Sequence, residues 1–227
     1  MQSIGRSTSR ILGHLGEDFG ILGAAEKDSG HEVRRFGEEM LFMEMTISRD
    51  RWQLHLKTRG QHYHERAREL EALHAQHPNL GANFAALAHH ALAELMEKAR
   101  VARLTRYQHI LLRLGEWIAY AESASSLARR AARIAEGKLN EKANRRFDAT
   151  AIAAVSRVFS REAALRVADE GLRWVSGAGA VSDAEMSAFE TNLGLPAIHR
   201  AQAGLISDMD FIADVLYARA AKPALAA

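Results

Sequence analysis

The chain has 227 residues, 48% of them hydrophobic and 26% charged, with a formal net charge of +2; this suits a folded domain and argues against wholesale disorder or a basic field for nucleic acid. It has no cysteine, which rules out disulfides, thiolate nucleophiles and zinc–thiolate sites and fits a reducing compartment. No stretch approaches the roughly 20 apolar residues of a membrane span, and the N-terminus lacks the apolar core of a secretory signal, so a cytoplasmic location is expected.

Residues 1–30 carry glycine at 5, 13, 16, 20, 23 and 30 and read as a loose arm or linker. From His31 to about Arg59 the pattern is helical, with apolar surface from Met40, Leu41, Met43, Met45, Trp52, Leu54 and Leu56. Gly60 interrupts it, and a charged helix follows over 62–76. His77-Pro78-Asn79 marks a boundary, because a residue before proline avoids the α region. Residues 31–78 thus form a helical segment of uncertain role, and a bundle domain is expected over 79–219.

Within that domain one helix is expected over about 82–103 and the clearest one over 107–136. There Ile110, Leu114, Trp117, Ala121, Ala124, Ala128, Ala131 and Ala135 alternate steps of four and three, which lays one seam along a helix. The seam turns from large residues to alanine, so a neighbour should approach closely at its C-terminal half, and Gly137 should end it. Asp148 should cap a helix running to about Ser176. Ser182 and Glu185 have capping-box spacing and open a short helix ending near Asn192. Leu193-Gly194-Leu195-Pro196 then starts a closing helix with Ile198, Leu205, Met209, Ile212 and Leu216 on one face. A disordered tail is expected over 220–227. Few prolines, many alanines and only 7% aromatics make this an all-α chain, an antiparallel helical bundle.

Three segments carry a more specific likeness. QHILLRLGEWIAYAESASSLARRAAR at 108–133, VFSREAALRVADEG at 158–171 and DFIADVLYAR at 210–219 resemble, in order and separation, the C-terminal α-helical domain of the acyl-CoA dehydrogenase family. HPNLGANFAALAHHALAEL and the opening MQSIGRS…FGILGAAE are similar to the appended second bundle of the very-long-chain type and its linker. The resemblance implies a flavoprotein context in fatty acid β-oxidation, with FAD in the related full-length enzymes. It also implies a catalytic acyl-CoA dehydrogenase module or a homo-oligomer as partner, and peripheral association with the inner membrane.

Family members abstract an α-proton with a glutamate while hydride passes to the flavin. Ser207 stands where the closing segment of catalytic members usually holds that glutamate, and neighbouring Asp208 is rotated about 100° around a helix. The family's flavin-contacting Gln-Ile-His-Gly-Gly is replaced by Arg173-Trp174-Val175-Ser176-Gly177. The expectation is a non-catalytic domain that binds no cofactor itself and stabilises the catalytic module and subunit assembly. Arg173, Trp174, Gly177 and Gly179 are the candidates for a residual cofactor cleft. The alternative is a small acyl-CoA- or flavin-binding helical protein with residual dehydrogenase activity.

Other clusters have plainer accounts. Glu71 and His74 share the Glu-x-x-His spacing of di-iron bundles but lack a second such pair, so no metal site is expected. His62, His64, His74, His77, His89 and His90 read as solvated histidines. Met40, Phe42, Met43 and Met45 read as core or a subunit contact, and the arginines at 129, 130, 133, 145 and 146 as a solvated face balanced by Glu136 and Glu141.

Overall fold

The computed structural model describes residues 29–138 and 147–217, with side chains from residue 43 onward. These residues are helical, with no strand among them: α1 (Ser29–Lys57), α2 (Gln61–Gln76), α3 (Ala82–Val101), a 3-10 turn (Leu104–Arg106), α4 (Gln108–Ala135), α5 (Ala149–Gly177), α6 (Asp183–Asn192), α7 (Leu195–Ala201) and α8 (Leu205–Leu216). The chain divides into two compact units at Leu41/Phe42. The first contributes helical backbone from Ser29 onward; the second is the bundle described below. The arm expected over 1–30 lies outside the described residues apart from Ser29 and Gly30, which open α1, and the tail over 220–227 lies wholly outside them.

Local chemistry starts and stops these helices as the residue types dictate. The Asp148 carboxylate accepts from the Ala151 N–H at 2.7 Å and caps α5, satisfying one of its orphan donors. Ser182 and Glu185 form a reciprocal capping box at α6. The expected closing helix, in contrast, is two. The chain turns at 202–204 between α7 and α8, with Gly204 at φ +83°. The reason is tertiary: Arg161 of α5 donates to the carbonyl oxygens of Ala201 (2.7 Å) and Ala203 (3.0 Å), acceptors that a continuous helix would hold internally.

α3 lies at the centre, packed on α2, α4 and α5. Antiparallel pairing of α4 and α5 follows from their contacts: Trp174 near the C-terminal end of α5 sits by His109 at the start of α4, whereas Phe159 stacks with Tyr120. The α4 seam is buried from Ile110 to Ala131, while Ala135 at its end is exposed. Large residues at one end, including Tyr63, Leu92, Met96, Ile110, Leu114, Trp117 and Ile118, form the main core. Each contributes about 1.5–3 kcal/mol by burial. Beyond them Ala124 and Ala128 of α4 meet Ala82, Ala85 and Ala86 of α3, Ala163 of α5, and Ala67 and Leu70 of α2. Residues on both sides of position 78 therefore share one core.

Two glycines permit close approach. A methyl group at Gly115 of α4 would collide with the Glu44 backbone of α1, and one at Gly171 of α5 with the Leu95 side chain of α3. Ser48, fully buried, donates its hydroxyl to the Leu111 carbonyl and adds a polar tie between α1 and α4.

Candidate functional site

The residues singled out from the sequence fall in two separate places. Ser207 is exposed on α8. Its neighbour Asp208 is turned inward and bound by Arg157 through both carboxylate oxygens, at 3.1 and 3.0 Å from Nε, and by Arg161 at 2.5 Å. Arg157 foremost, with Arg161, holds the Asp208 carboxyl below its ordinary value against the opposing effect of burial. A carboxylate saturated by two guanidinium groups is an anchor, with no basicity left for proton abstraction.

Arg173 and Trp174 lie near the other end of α5. Thirteen residues of helix, about 20 Å, separate Trp174 from the Arg161 clamp. Ser207 and Trp174 therefore do not line a common cleft. Around Trp174 the fold does assemble a group: the guanidinium carbons of Arg113 and Arg173 both lie 5.7 Å from its ring, and the His109 ring lies at 5.5 Å. Tyr107 stands 5.9 Å beyond His109, with Arg106 over its ring. Arg113 is paired with Glu116 at 2.5 Å, whereas Arg173 has no ion pair among the described residues. The cluster joins cations to aromatic faces. Gly177 and Gly179 add nothing to a cradle, because a side chain at either would meet open space; Gly179, at φ +69°, serves the turn after α5.

Several polar groups that the sequence left unremarked are brought together across helices. Glu122 of α4 accepts two bonds from Arg51 of α1, at 2.5 and 2.9 Å, and one at 3.0 Å from the hydroxyl of buried Tyr63 in α2. Burial raises the Glu122 carboxyl, but Arg51 and Tyr63 outweigh it and leave it lowered. Nearby His89, expected in solvent, is 2% exposed; its Nδ1–H donates to the Ala85 carbonyl at 2.8 Å. Burial above all holds its pKa down at about 4, so the ring is neutral. His55 is likewise buried and donates to Glu97 at 3.2 Å. His64 and His90 face one another across α2 and α3. Only the helix pairing reveals the cross-helix bonds among them, whose partners are 26 to 71 residues apart.

Of the Glu71–His74 pair, Glu71 accepts from His90, and the Nδ1 of His74 is buried without a partner among the described residues. Among those residues no group of three or more histidine or carboxylate side chains is disposed to hold a metal ion. No described helix is long and apolar enough to cross a membrane. Met43 is exposed and Met45 half-buried, while the side chains of Met40 and Phe42 lie outside the described set. In the arginine group, Arg129 pairs with Glu69 at 2.6 Å and Glu136 pairs with His77 and Lys138; residues 145, 146 and 141 are outside the described residues.

The other distinctive surface is α8. Its sequence, LISDMDFIADVL, is predominantly apolar, yet none of its residues is buried. Ile206 is 67% exposed, Met209 48%, Leu216 46% and the following Tyr217 73%. At about 100° per residue these four occupy one stripe roughly 100° wide. Exposed Asp210 borders it on one side. No protein-family model, curated protein or solved structure matches the chain.

Proposed function

We propose that this chain is a non-catalytic helical docking module that offers the exposed stripe of α8 to an apolar helix of a partner protein. The observation carrying the proposal is an apolar helix seated on α5 through half-buried side chains and the two-arginine clamp on Asp208, without a buried residue of its own. A contiguous apolar surface of this kind is characteristic of an interaction site. Exposed Asp210, at one edge of the stripe, defines the occupant further: a helix whose apolar face carries lysine or arginine along the facing edge. Antiparallel self-pairing of α8 would set the acidic borders of two copies against each other, a costly like-charge arrangement.

The finer proposal is that the module belongs to an acyl-CoA dehydrogenase-like flavoprotein of the very-long-chain type, with its partner the catalytic module of fatty acyl-CoA oxidation. Its support is the residue likeness over 108–133, 158–171 and 210–219. The deciding experiment titrates the purified chain with two synthetic helical peptides sharing a leucine stripe, one flanked by lysine and the other by glutamate. Binding of the lysine-flanked peptide, lost in Ile206→Glu and Met209→Glu, is expected. Equal binding of both peptides, or a native mass of two copies that falls to one in Ile206→Glu, would overturn the proposed occupant.

A second function is favoured by the gathering of Arg113, Arg173, Trp174 and His109: binding of the phosphate and aromatic parts of a CoA thioester or flavin. It predicts a thermal shift with CoA thioester that Trp174→Leu abolishes. An unchanged melting temperature at millimolar CoA thioester rejects it.

A further inference from the structure

α2 and α3 carry a linear relay of four side chains: Glu94, His64, His90 and Glu71. The Nδ1 atoms of His64 and His90 face each other at 2.8 Å. The outer ring nitrogens point at carboxylates, His64 Nε2 at Glu94 Oε1 (3.5 Å) and His90 Nε2 at Glu71 Oε1 (3.2 Å). Each imidazole thus turns its Nε2 toward a carboxylate and its Nδ1 toward the other ring. Two such nitrogens at this distance can share only one proton between them.

We propose that this pair is a two-histidine site for a divalent late transition-metal ion, bound between the Nδ1 atoms as a clip across α2 and α3. Three features carry the proposal. First, metal-bound histidines characteristically donate their other ring N–H to a carboxylate, which fixes ring orientation and strengthens the ligand; His90 has that hydrogen-bond partner in Glu71, and the Glu94 carboxylate lies 3.5 Å from His64 Nε2 as an ion-pair contact. Second, the spacing fits. Tetrahedral coordination at the usual metal–imidazole bond length requires the two nitrogens to be about 3.3 Å apart and the ring centres about 5.2 Å apart. The ring centroids are already 5.1 Å apart at an interplanar angle of 40°. Widening the nitrogen separation from 2.8 Å to about 3.3 Å needs both rings to tilt. Third, the histidine side chains are 25% and 32% exposed, open enough for an ion to enter and for water to complete its coordination. Imidazole donors select copper, nickel and zinc over magnesium and calcium.

The test uses the untagged full chain, freed of metal by chelator, and compares each variant with its own metal-free melting curve. Zinc at ten times its half-saturating concentration should raise the melting temperature by about 3–6 °C. The shift should vanish in His64→Gln and in His90→Gln, and persist in His199→Gln, which alters an exposed histidine outside the pair. Glu71→Gln and Glu94→Gln should each weaken zinc binding about tenfold or more. Copper(II) bound to the wild-type chain should show hyperfine coupling to two nitrogen ligands in its electron paramagnetic resonance spectrum, reduced to one in either histidine variant. No zinc-dependent shift, a shift surviving His64→Gln or His90→Gln, or a one-nitrogen spectrum in the wild type would leave the two rings as a simple hydrogen-bonded pair and overturn the site.

Discussion

At His89 burial sets the behaviour of the side chain, and at Asp208 its two arginine partners do. The folded chain keeps His89 neutral to about pH 4, whereas an unfolded histidine takes up its proton near pH 6.5. Between those values the unfolded state binds the extra proton, so stability falls as the pH falls. The full effect is on the order of 3 kcal/mol. Urea unfolding measured from pH 7 to pH 4 should show this loss, and His89→Gln should flatten it. Asp208 has the opposite linkage. Its carboxyl is lowered in the folded state, so its contribution is present above the ordinary carboxylate range and disappears as the pH drops through the folded value. Asp208→Ala should cost about 2–3 kcal/mol, since it leaves the 6% exposed Arg161 without its counter-charge. Hydrogen exchange should speed up in α8 well before it does in α3.

Helix pairs depend on how near their backbones come. At Gly171 the missing side chain makes room for Leu95, and at Gly115 for the backbone of α1. Gly171→Ala should therefore destabilise by about 1–3 kcal/mol through overpacking, despite alanine's better helix propensity. The double variant Gly171→Ala, Leu95→Ala should lose less melting temperature than the sum of the two single losses, because the truncated leucine removes the clash. The break between α7 and α8 has a different basis. Arg161 takes the carbonyl oxygens of Ala201 and Ala203 out of any continuous helix while its Nη1 holds Asp208, so one arginine both ends one helix and seats the next.

For the bundle as a whole, the dominant feature is where apolar surface remains uncovered. α3 is enclosed by its neighbours, with Leu92, Leu95 and Met96 inaccessible to solvent, whereas α8 touches the bundle along one side only. Replacing Met209 and Leu216 together by glutamate should change stability by less than about 0.5 kcal/mol, the usual range for surface substitutions. The same pair should sharply reduce binding of an environment-sensitive hydrophobic dye. A large loss of melting temperature would mean that these side chains support the bundle instead of facing a partner.

The all-helical character, the main helices and their caps were legible in the residues, because alanine content, apolar steps of three and four, Asp148 and the Ser182/Glu185 pair act within one or two turns of backbone. The large-to-small gradient along α4 likewise announced the close alanine contact at its far end. Tertiary structure alone decided that His89 is buried and that α8, with Ser207, is clamped to Arg161 of α5, far along that helix from Trp174. It also set Glu122 against Arg51 and Tyr63, faced His64 toward His90, and split the closing helix at Gly204. These are outcomes of packing between segments distant in the chain, and local periodicity specifies which face of a helix is apolar but not which neighbour will cover it.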